Sequence, residues 1–465
     1  MRKKLLIVIP SSRGIYRRTA IRSGAPFSPP LGVAAVAAGA RDSGFEVQIF
    51  DANHYRSPGR FLDRKLKDFP PDGVGISFTT PHFPEVLRVV NLLKKRIPGV
   101  PIIGGGPHPT VLPAATLKEI PFDFLVVGEG DRTLSEIYAA GDFSRVLGIA
   151  YRGGNGPRLT PPRPPVLNLD DLPFPAWEIF ELSRYRTSHL LARENPCGWL
   201  ETSRGCPGTC SYCTKKAWGT KFRAKSPPRV LDEIRKMLDR GFREIHLADD
   251  NFAHDRERAL EICAQIIRSG WRFPWAPVTG LRVDTLDREL LRQMQRAGCY
   301  RVYLGIESGS PRILEKIGKG IRIEKVEEVV SDCRELGLEV FGFFMIGLPE
   351  EEEEDLISTL NFARRLRLDF AKVSYTIPLP GTSLYQRLEA EGLLRGGGWG
   401  DYNFYRVPRS VYRHPHLDWE VVEKYFHRFY RKVYLNPGFF WRRLLFGLKH
   451  RTLLSDLKAF FGTSW

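Results

Sequence analysis

Short runs of consecutive apolar residues, each followed by a stretch with apolar positions three and four apart, recur through most of the chain. In the first part, residues 4–9, 46–50, 73–77, 101–103 and 122–127 read as strands, and 31–43, 85–96 and 133–140 carry helical spacing. Strands that are apolar without alternation are buried on both faces, which calls for a parallel sheet covered by helices on each side. This predicts a doubly wound, flavodoxin-like α/β domain over residues 1–140.

Residues 141–194 break the pattern with Gly153-Gly154-Asn155-Gly156-Pro157 and Thr160-Pro161-Pro162-Arg163-Pro164-Pro165, turn and extended-chain signals that predict an ordered linker. From 195 to 395 six strand-like runs return, at 199–203, 244–248, 277–282, 301–306, 339–346 and 372–377. Helical spacing appears at 229–238, 256–268, 288–297, 323–336 and 352–366. Six β/α units are too few for a closed eight-stranded barrel, so an open partial barrel is expected. Residues 396–465 form a basic helical region. Its apolar stripe of Trp441, Leu444, Leu445, Leu448, Leu453, Leu454, Leu457, Phe460 and Phe461 is flanked by Arg442, Arg443, Lys449, Arg451 and Lys458. Such a helix can lie in a membrane interface or pack on its own barrel.

The composition fits a globular protein, with 42% hydrophobic and 12% aromatic residues in 465. Lys and Arg outnumber Asp and Glu by 70 to 53, which suits an anionic surface or an acidic ligand. Nucleic acid fits less well, because the arginines accompany a broad apolar face rather than a stacking platform. No run approaches the ~20 apolar residues of a membrane span. The start, Leu5 to Ile9 followed by Pro10 and Arg13, reads as a buried strand rather than a signal peptide. The chain is expected to be cytoplasmic, at most peripheral at the inner membrane face.

Against this background stands Cys206-Pro207-Gly208-Thr209-Cys210-Ser211-Tyr212-Cys213. Three thiolates on one glycine-containing loop can wrap a small metal cluster and leave one metal open. A zinc site would need a fourth ligand, and only Cys197 and His189 lie near, beyond the strand. A disulfide fits poorly with seven cysteines and no secretory signal.

The spacing Cys-x3-Cys-x2-Cys, with an aromatic before the third cysteine, resembles the radical S-adenosylmethionine (radical SAM) superfamily. The resemblance implies that Cys206, Cys210 and Cys213 hold a [4Fe-4S] cluster whose open iron binds SAM, that one electron from a donor such as flavodoxin or ferredoxin cleaves SAM, and that the resulting 5′-deoxyadenosyl radical abstracts hydrogen. It further implies SAM contacts at the carboxyl ends of barrel strands. These are Asp249 and Asp250 for the amino group, Arg282 for the carboxylate, Glu307 for a ribose hydroxyl or a cation, and Tyr212 for the adenine. Salt bridging between Glu307 and Arg282 is the alternative for that pair.

The first domain resembles the cobalamin-binding domains that precede radical SAM domains in the class B subgroup. The resemblance rests on Pro29-Pro30-Leu31-Gly32, on Gly104-Gly105-Gly106-Pro107-His108-Pro109-Thr110 and on Gly128-Glu129-Gly130, and Ser77 and Thr79 stand at the same sheet edge. It implies cobalamin there. Many such domains carry Asp-x-His-x-x-Gly after the first strand, whereas this loop reads Pro10-Ser11-Ser12-Arg13-Gly14-Ile15-Tyr16. His54 reads as an ordinary loop residue, so cobalamin is expected without a protein histidine on cobalt.

Together these readings predict an enzyme that methylates an unactivated carbon of a small hydrophobic or lipid-like substrate. The alternatives are a cobalamin-linked radical oxidation or cyclisation, as in tetrapyrrole cyclases, and a corrinoid-binding sensor or carrier. The related tRNA methylthiotransferases carry three further cysteines in their first domain, and residues 1–140 have none.

Overall fold

The computed structural model describes residues 2–16, 27–140, 142–154, 156–214 and 218–450. The N-terminal sheet is built from β1 (Lys4–Ile9), β2 (Glu46–Asp51), β3 (Gly73–Ser77), β4 (Ile102–Gly105) and β5 (Phe124–Val126), followed by β6 (Ile149–Gly153) and β7 (Gly156–Leu159). Their order is β2-β1-β3-β4-β5-β6-β7. The first five are mutually parallel and the last two antiparallel. The doubly wound sheet is therefore as expected, but it does not stop at residue 140. The expected linker contributes a hairpin to its edge before running through irregular chain to the barrel.

Alternation along β1 divides the core. Leu5, Ile7 and Ile9 pack with Ala34 and Ala37 of the helix Leu31–Asp42, and Leu6 and Val8 pack with Leu62, Leu66, Val86 and Val90 on the other face. The helix Pro58–Asp68, which sequence reading leaves unassigned, turns Leu62 and Leu66 inward from an otherwise mostly charged surface. Going from β1 to β2 and then back across to β3 reverses the winding, which opens a crevice between the carboxyl ends of β1 and β3.

The barrel comprises β8 (Cys197–Leu200), a small antiparallel pair of β9 (Ser203–Arg204) and β10 (Arg223–Ala224), then β11 (Glu244–Leu247), β12 (Trp275–Pro277), β13 (Arg301–Glu307), β14 (Glu339–Ile346) and β15 (Phe370–Tyr375). Its six parallel strands form two triplets, β12-β11-β8 and β13-β14-β15, joined by the bridges Trp275 to Cys299 and Leu281 to Leu304. This is the expected open six-unit barrel. Val302, Leu304, Val340 and Val373 join the main core, while Tyr303, Phe341 and Phe370, with Phe343 beside them, gather in a separate aromatic cluster. Strand alternation puts these two sets on opposite faces, and the aromatic set lines the concave one.

The helix Trp419–Tyr434 packs on the outside of this half. Phe426 stacks on Tyr375 at 4.3 Å, and Tyr434 donates to the Ala371 carbonyl at 2.7 Å. Between barrel and helix the chain returns to the first domain, where Trp399 Nε1 donates to Glu119 at 2.9 Å and Asn403 Nδ2 to the Ile15 carbonyl at 3.0 Å.

Candidate functional site

The cysteine loop leaves β9 and is tied down on several sides. Gly205 N donates to Asp250 Oδ2 at 2.9 Å, Ser211 N to the Ile317 carbonyl at 2.9 Å, and Leu384 N to the Ser211 carbonyl at 2.9 Å. All three cysteines are free thiols, Cys206 and Cys210 half-buried and Cys213 exposed. Arg282 Nη1 lies 4.0 Å from Cys210 Sγ, and a Cβ on Gly208 would stand 3.4 Å from Cys206 Sγ and 3.1 Å from Arg282 Nη1. Two thiols thus converge on one guanidinium. Three soft donors beside a cation, with no fourth cysteine in the loop, suit an iron–sulfur cluster with one open iron. Cys197 is enclosed elsewhere, at the other end of β8, near Glu244 and His246. Glu244 already accepts from His246, the Tyr300 hydroxyl and the backbone N–H groups of Arg193 and Glu194, each at 2.7 Å, so that group is a closed network.

Around the loop the expected SAM residues divide. Asp249 is buried, and its carboxylate accepts from the Thr202 N–H at 2.6 Å, the Thr202 hydroxyl and the Ser203 hydroxyl at 2.7 Å. It organises the β8–β9 turn, and only Asp250 has an oxygen to spare for a ligand. Burial pushes the Asp250 carboxyl above its usual range. Glu307 ends β13 at φ 65°, a conformation costly for a side-chain-bearing residue, beside a register shift after Gly305. Its partner is Lys319, Nζ to Oε1 at 2.8 Å, and not Arg282, which pairs instead with Asp284 at 2.8 Å. A Cβ at Gly305 would lie 2.7 Å from Lys319 Nζ and 2.9 Å from Glu307 Oε1, so a side chain there would push the pair aside. The Tyr212 ring lies between Cys210 and Glu307; burial, reinforced by both neighbours, raises its phenol pKa.

On the first domain, Ser77, Thr79 and Pro107 are exposed at the carboxyl edge of β3 and β4, with Gly105, Gly106 and Gly128 beside them. Gly106 has φ 96°, and a Cβ there would meet Phe78 O and Ser77 Oγ at 2.8 Å. The edge is open polar backbone of the kind a large flat ligand can approach. Gly104 instead faces Leu125 and Phe122 in the core, and Gly130 faces Val36. Two other expected contacts are occupied by the protein. Glu129 is buried, pairing with Arg223 at 2.5 Å and Arg204 at 3.2 Å. His108 is walled in by Phe78, Phe83 and Trp399, with Nδ1 3.1 Å from Thr80 Oγ1 and Nε2 unpartnered. Burial pushes the His108 imidazole down to about 4. The predicted loop residue His54 is packed against Phe27, Tyr55 and Tyr185.

Sequence reading misses three groups that the fold assembles. Lys319 follows Gly318 in a turn and gives no sign of reaching Glu307. His82 caps the helix Phe83–Arg96 and bridges to Ser12. Lys372 sits on β15 with its Nζ donating to Tyr405 at 2.8 Å, over the rings of Phe343 and Tyr405. Tyr16, from the first domain, lies against Tyr405 with ring centres 5.7 Å apart. Among the described residues no carboxylate pairs with this lysine, and burial lowers its pKa to about 8. An isolated lysine inside an apolar run is the signal that could have found it.

A parallel-sheet domain with an open glycine edge, joined to a partial barrel carrying a three-thiol loop, defines the class: this chain belongs to the radical SAM superfamily and carries a B12 binding domain. The superfamily model matches residues 200–363 and the B12 binding domain residues 17–138. The chain is similar to an uncharacterized methyltransferase of Pyrococcus horikoshii, 33% identical over 93% of each chain. It is also similar to the cytidylyl-2-hydroxyethylphosphonate methyltransferase of Streptomyces wedmorensis, 30% identical over 84% of this chain and 83% of that one. The solved structure of the cobalamin-dependent SAM radical enzyme OxsB shares the fold, with a TM-score of 0.74, 17% identity, and coverage of 99% of this chain and 76% of that one. The chain is thus a radical SAM enzyme whose cofactors are those of its two domains: a [4Fe-4S] cluster, SAM and cobalamin.

Proposed function

We propose that the protein methylates carbon in a small substrate with a hydrophobic body, bound on the concave face of the barrel. With the cofactors bound, the cluster and SAM supply a hydrogen-abstracting radical and cobalamin supplies the methyl group. Cys206, Cys210 and Cys213 would hold the cluster. Asp250, with its spare oxygen, would receive the SAM amino group, and Arg282 would face its carboxylate, for which a guanidinium is well shaped. Glu307, fixed by Lys319, and Tyr212 would position the remainder of SAM. Ser77, Thr79, Gly105, Gly106, Pro107 and Gly128 would form the floor under cobalamin.

The observation that carries this reading is the aromatic set gathered inside the barrel, Tyr303, Phe341 and Phe370 with Phe343 beside them. Lys372 lies over the Phe343 ring and donates to Tyr405, against which Tyr16 of the first domain packs. Such a site accepts an apolar body and excludes water from the radical step. The test is anaerobic reconstitution with iron, sulfide and cobalamin, followed by incubation with trideuteromethyl-SAM and a low-potential one-electron reductant that brings cobalt to cob(I)alamin and the cluster to its reduced state. We expect about four irons per chain, and a methylcobalamin carrying the trideuteromethyl group by mass spectrometry. A protein that cleaves SAM but never labels bound cobalamin would move the reading from methylation to oxidation or cyclisation.

Peripheral membrane contact is a further part of this proposal. No helix among the described residues is long and apolar enough to span a membrane. The helix Pro437–His450 nevertheless buries Phe439 while exposing Trp441, Leu445 and Leu448 by 63%, 51% and 60%. Residues 451–465, the second half of the predicted stripe, lie outside the described residues.

A further inference from the structure

We propose that His82 Nε2 is the axial nitrogen ligand of cobalt. The inference rests on the cobalamin reading of the first domain and replaces the expectation of a cobalt without a protein histidine.

The crevice of a sheet ordered β2-β1-β3-β4-β5 lies between the carboxyl ends of β1 and β3. His82 spans it. It follows β3 in the short turn Thr80–His82, and its Nε2 stands 3.0 Å from the hydroxyl of Ser12, in the loop leaving β1. Its Nδ1 stands 2.8 Å from the Thr79 hydroxyl. In the tautomer in which Nδ1 donates to the Thr79 hydroxyl, the imidazole keeps its proton there and presents the Nε2 lone pair, the arrangement by which metal-binding histidines are oriented. Ser12 Oγ lies in the direction of that lone pair, at the mouth of the crevice. It is a small, rotatable hydroxyl that can yield to a stronger acceptor.

The other two histidines of residues 1–140 cannot serve. His54 is packed among three aromatic rings with Asp51 behind it, and His108 is only 2% exposed beneath Trp399. His82, unlike the fully buried His108, is half-buried, and it lies within three residues of Thr79, whose neighbours Ser77 and Gly106 form the same rim. The opposing explanation is that His82 merely ties two loops together through Ser12 and Thr79.

Electron paramagnetic resonance of the full-length protein loaded with cob(II)alamin separates the two. An axial nitrogen-14 splits each cobalt line into a triplet, whether it comes from histidine or from the cofactor's own base. Protein labelled with nitrogen-15 histidine should give doublets instead, and His82→Ala should lose them while retaining corrinoid. Triplets in the labelled protein, unsplit lines, or doublets that survive in His82→Ala would each overturn the assignment. Should His82→Ala lose its corrinoid, His82→Gln, which keeps a hydrogen-bonding side chain between Thr79 and Ser12, decides: doublets lost with corrinoid retained assign the ligand to His82, and doublets kept refute it. A wild-type protein that retains no corrinoid overturns the parent reading and this one with it.

Discussion

Arg204 grips Asp131 with both ends of its guanidinium, Nη1 to Oδ2 at 3.0 Å and Nη2 to Oδ1 at 3.1 Å, joining the two domains two residues before Cys206. The same side chain reaches Glu129 at 3.2 Å and Glu201 at 2.8 Å, and every member is buried or nearly so. Burial opposes the charge of Arg204, but Glu201 and Asp131 more than offset it and hold the guanidinium protonated. The cysteine loop is therefore anchored to the first domain by a desolvated ion network.

Removing the cation should cost more than removing one anion. Arg204→Met leaves Asp131 and Glu201 without their cation, while Glu129 keeps Arg223, and should destabilise the protein by about 3–5 kcal/mol. Asp131→Asn keeps one acceptor and should cost about 1–3 kcal/mol. Urea unfolding of the two variants checks the order. No loss in either variant would mean that the network contributes nothing to holding the halves together, and equal losses would mean that the cation is worth no more than one anion.

The parallel strands were legible because five runs in one half and six in the other are apolar and short. The boundary at 140 was not, because the hairpin of β6 and β7 is rich in glycine and reads as linker; only pairing with β5 makes it sheet. The third barrel strand was expected at 277–282 and lies at Trp275–Pro277, since Gly280, with φ 101°, turns the chain away. The site was legible where residues are adjacent, as in the cysteine loop. It was illegible where distant loops meet, as with Lys319 and Glu307, or His82 and Ser12. No local periodicity records which of two neighbouring cations a carboxylate will choose.

Glu351 makes stability depend on pH. It is fully buried, its Oε2 accepts from the N–H groups of Gly347 and Leu348 at 2.7 and 2.9 Å, and its Oε1 has no partner. Burial raises its pKa to about 8, against the two N–H donors that favour the anion. The folded state thus holds a proton that the unfolded state releases near pH 4.5. Its stabilising contribution is full below that value and falls as pH rises to about 8. Glu351→Gln, which can still accept both N–H bonds, should flatten the decline in thermal midpoint between pH 5 and 8. Parallel pH profiles in the two proteins would assign the decline elsewhere.

Lys372 should show the opposite sign and a conflict between stability and binding. Its folded pKa of about 8 lies below the unfolded value of 10.5, so its contribution to stability rises as pH increases between the two. A buried ammonium facing only a phenol and aromatic rings is suited to receive an acidic group of the substrate. Lys372→Met should therefore stabilise the protein by about 1 kcal/mol while weakening substrate binding. Carbon-13 NMR of the reductively methylated protein should contain one resonance that titrates near pH 8 and is missing in Lys372→Arg. A lysine titrating at its ordinary value would remove this role.

The exposed face of the helix Pro437–His450 supports the membrane prediction without requiring truncation. Trp441, Leu445 and Leu448 are exposed while Phe439 anchors the helix beside Tyr434, at a ring separation of 4.9 Å. Replacing the three exposed residues by Ser should leave the fold intact, because they contact little of the protein. Each large apolar side chain entering a bilayer interface contributes about 1.5–3 kcal/mol before ordering costs, enough together for reversible attachment. Anionic lipid should strengthen it through the neighbouring arginines, and salt should weaken it. Sedimentation with vesicles of phosphatidylcholine and phosphatidylglycerol should therefore recover the wild type at low salt and lose the triple variant by at least tenfold, with SAM cleavage unchanged. Equal recovery of both proteins would show that this face does not meet lipid, and would leave the aromatic wall of the barrel as the remaining support for a hydrophobic substrate.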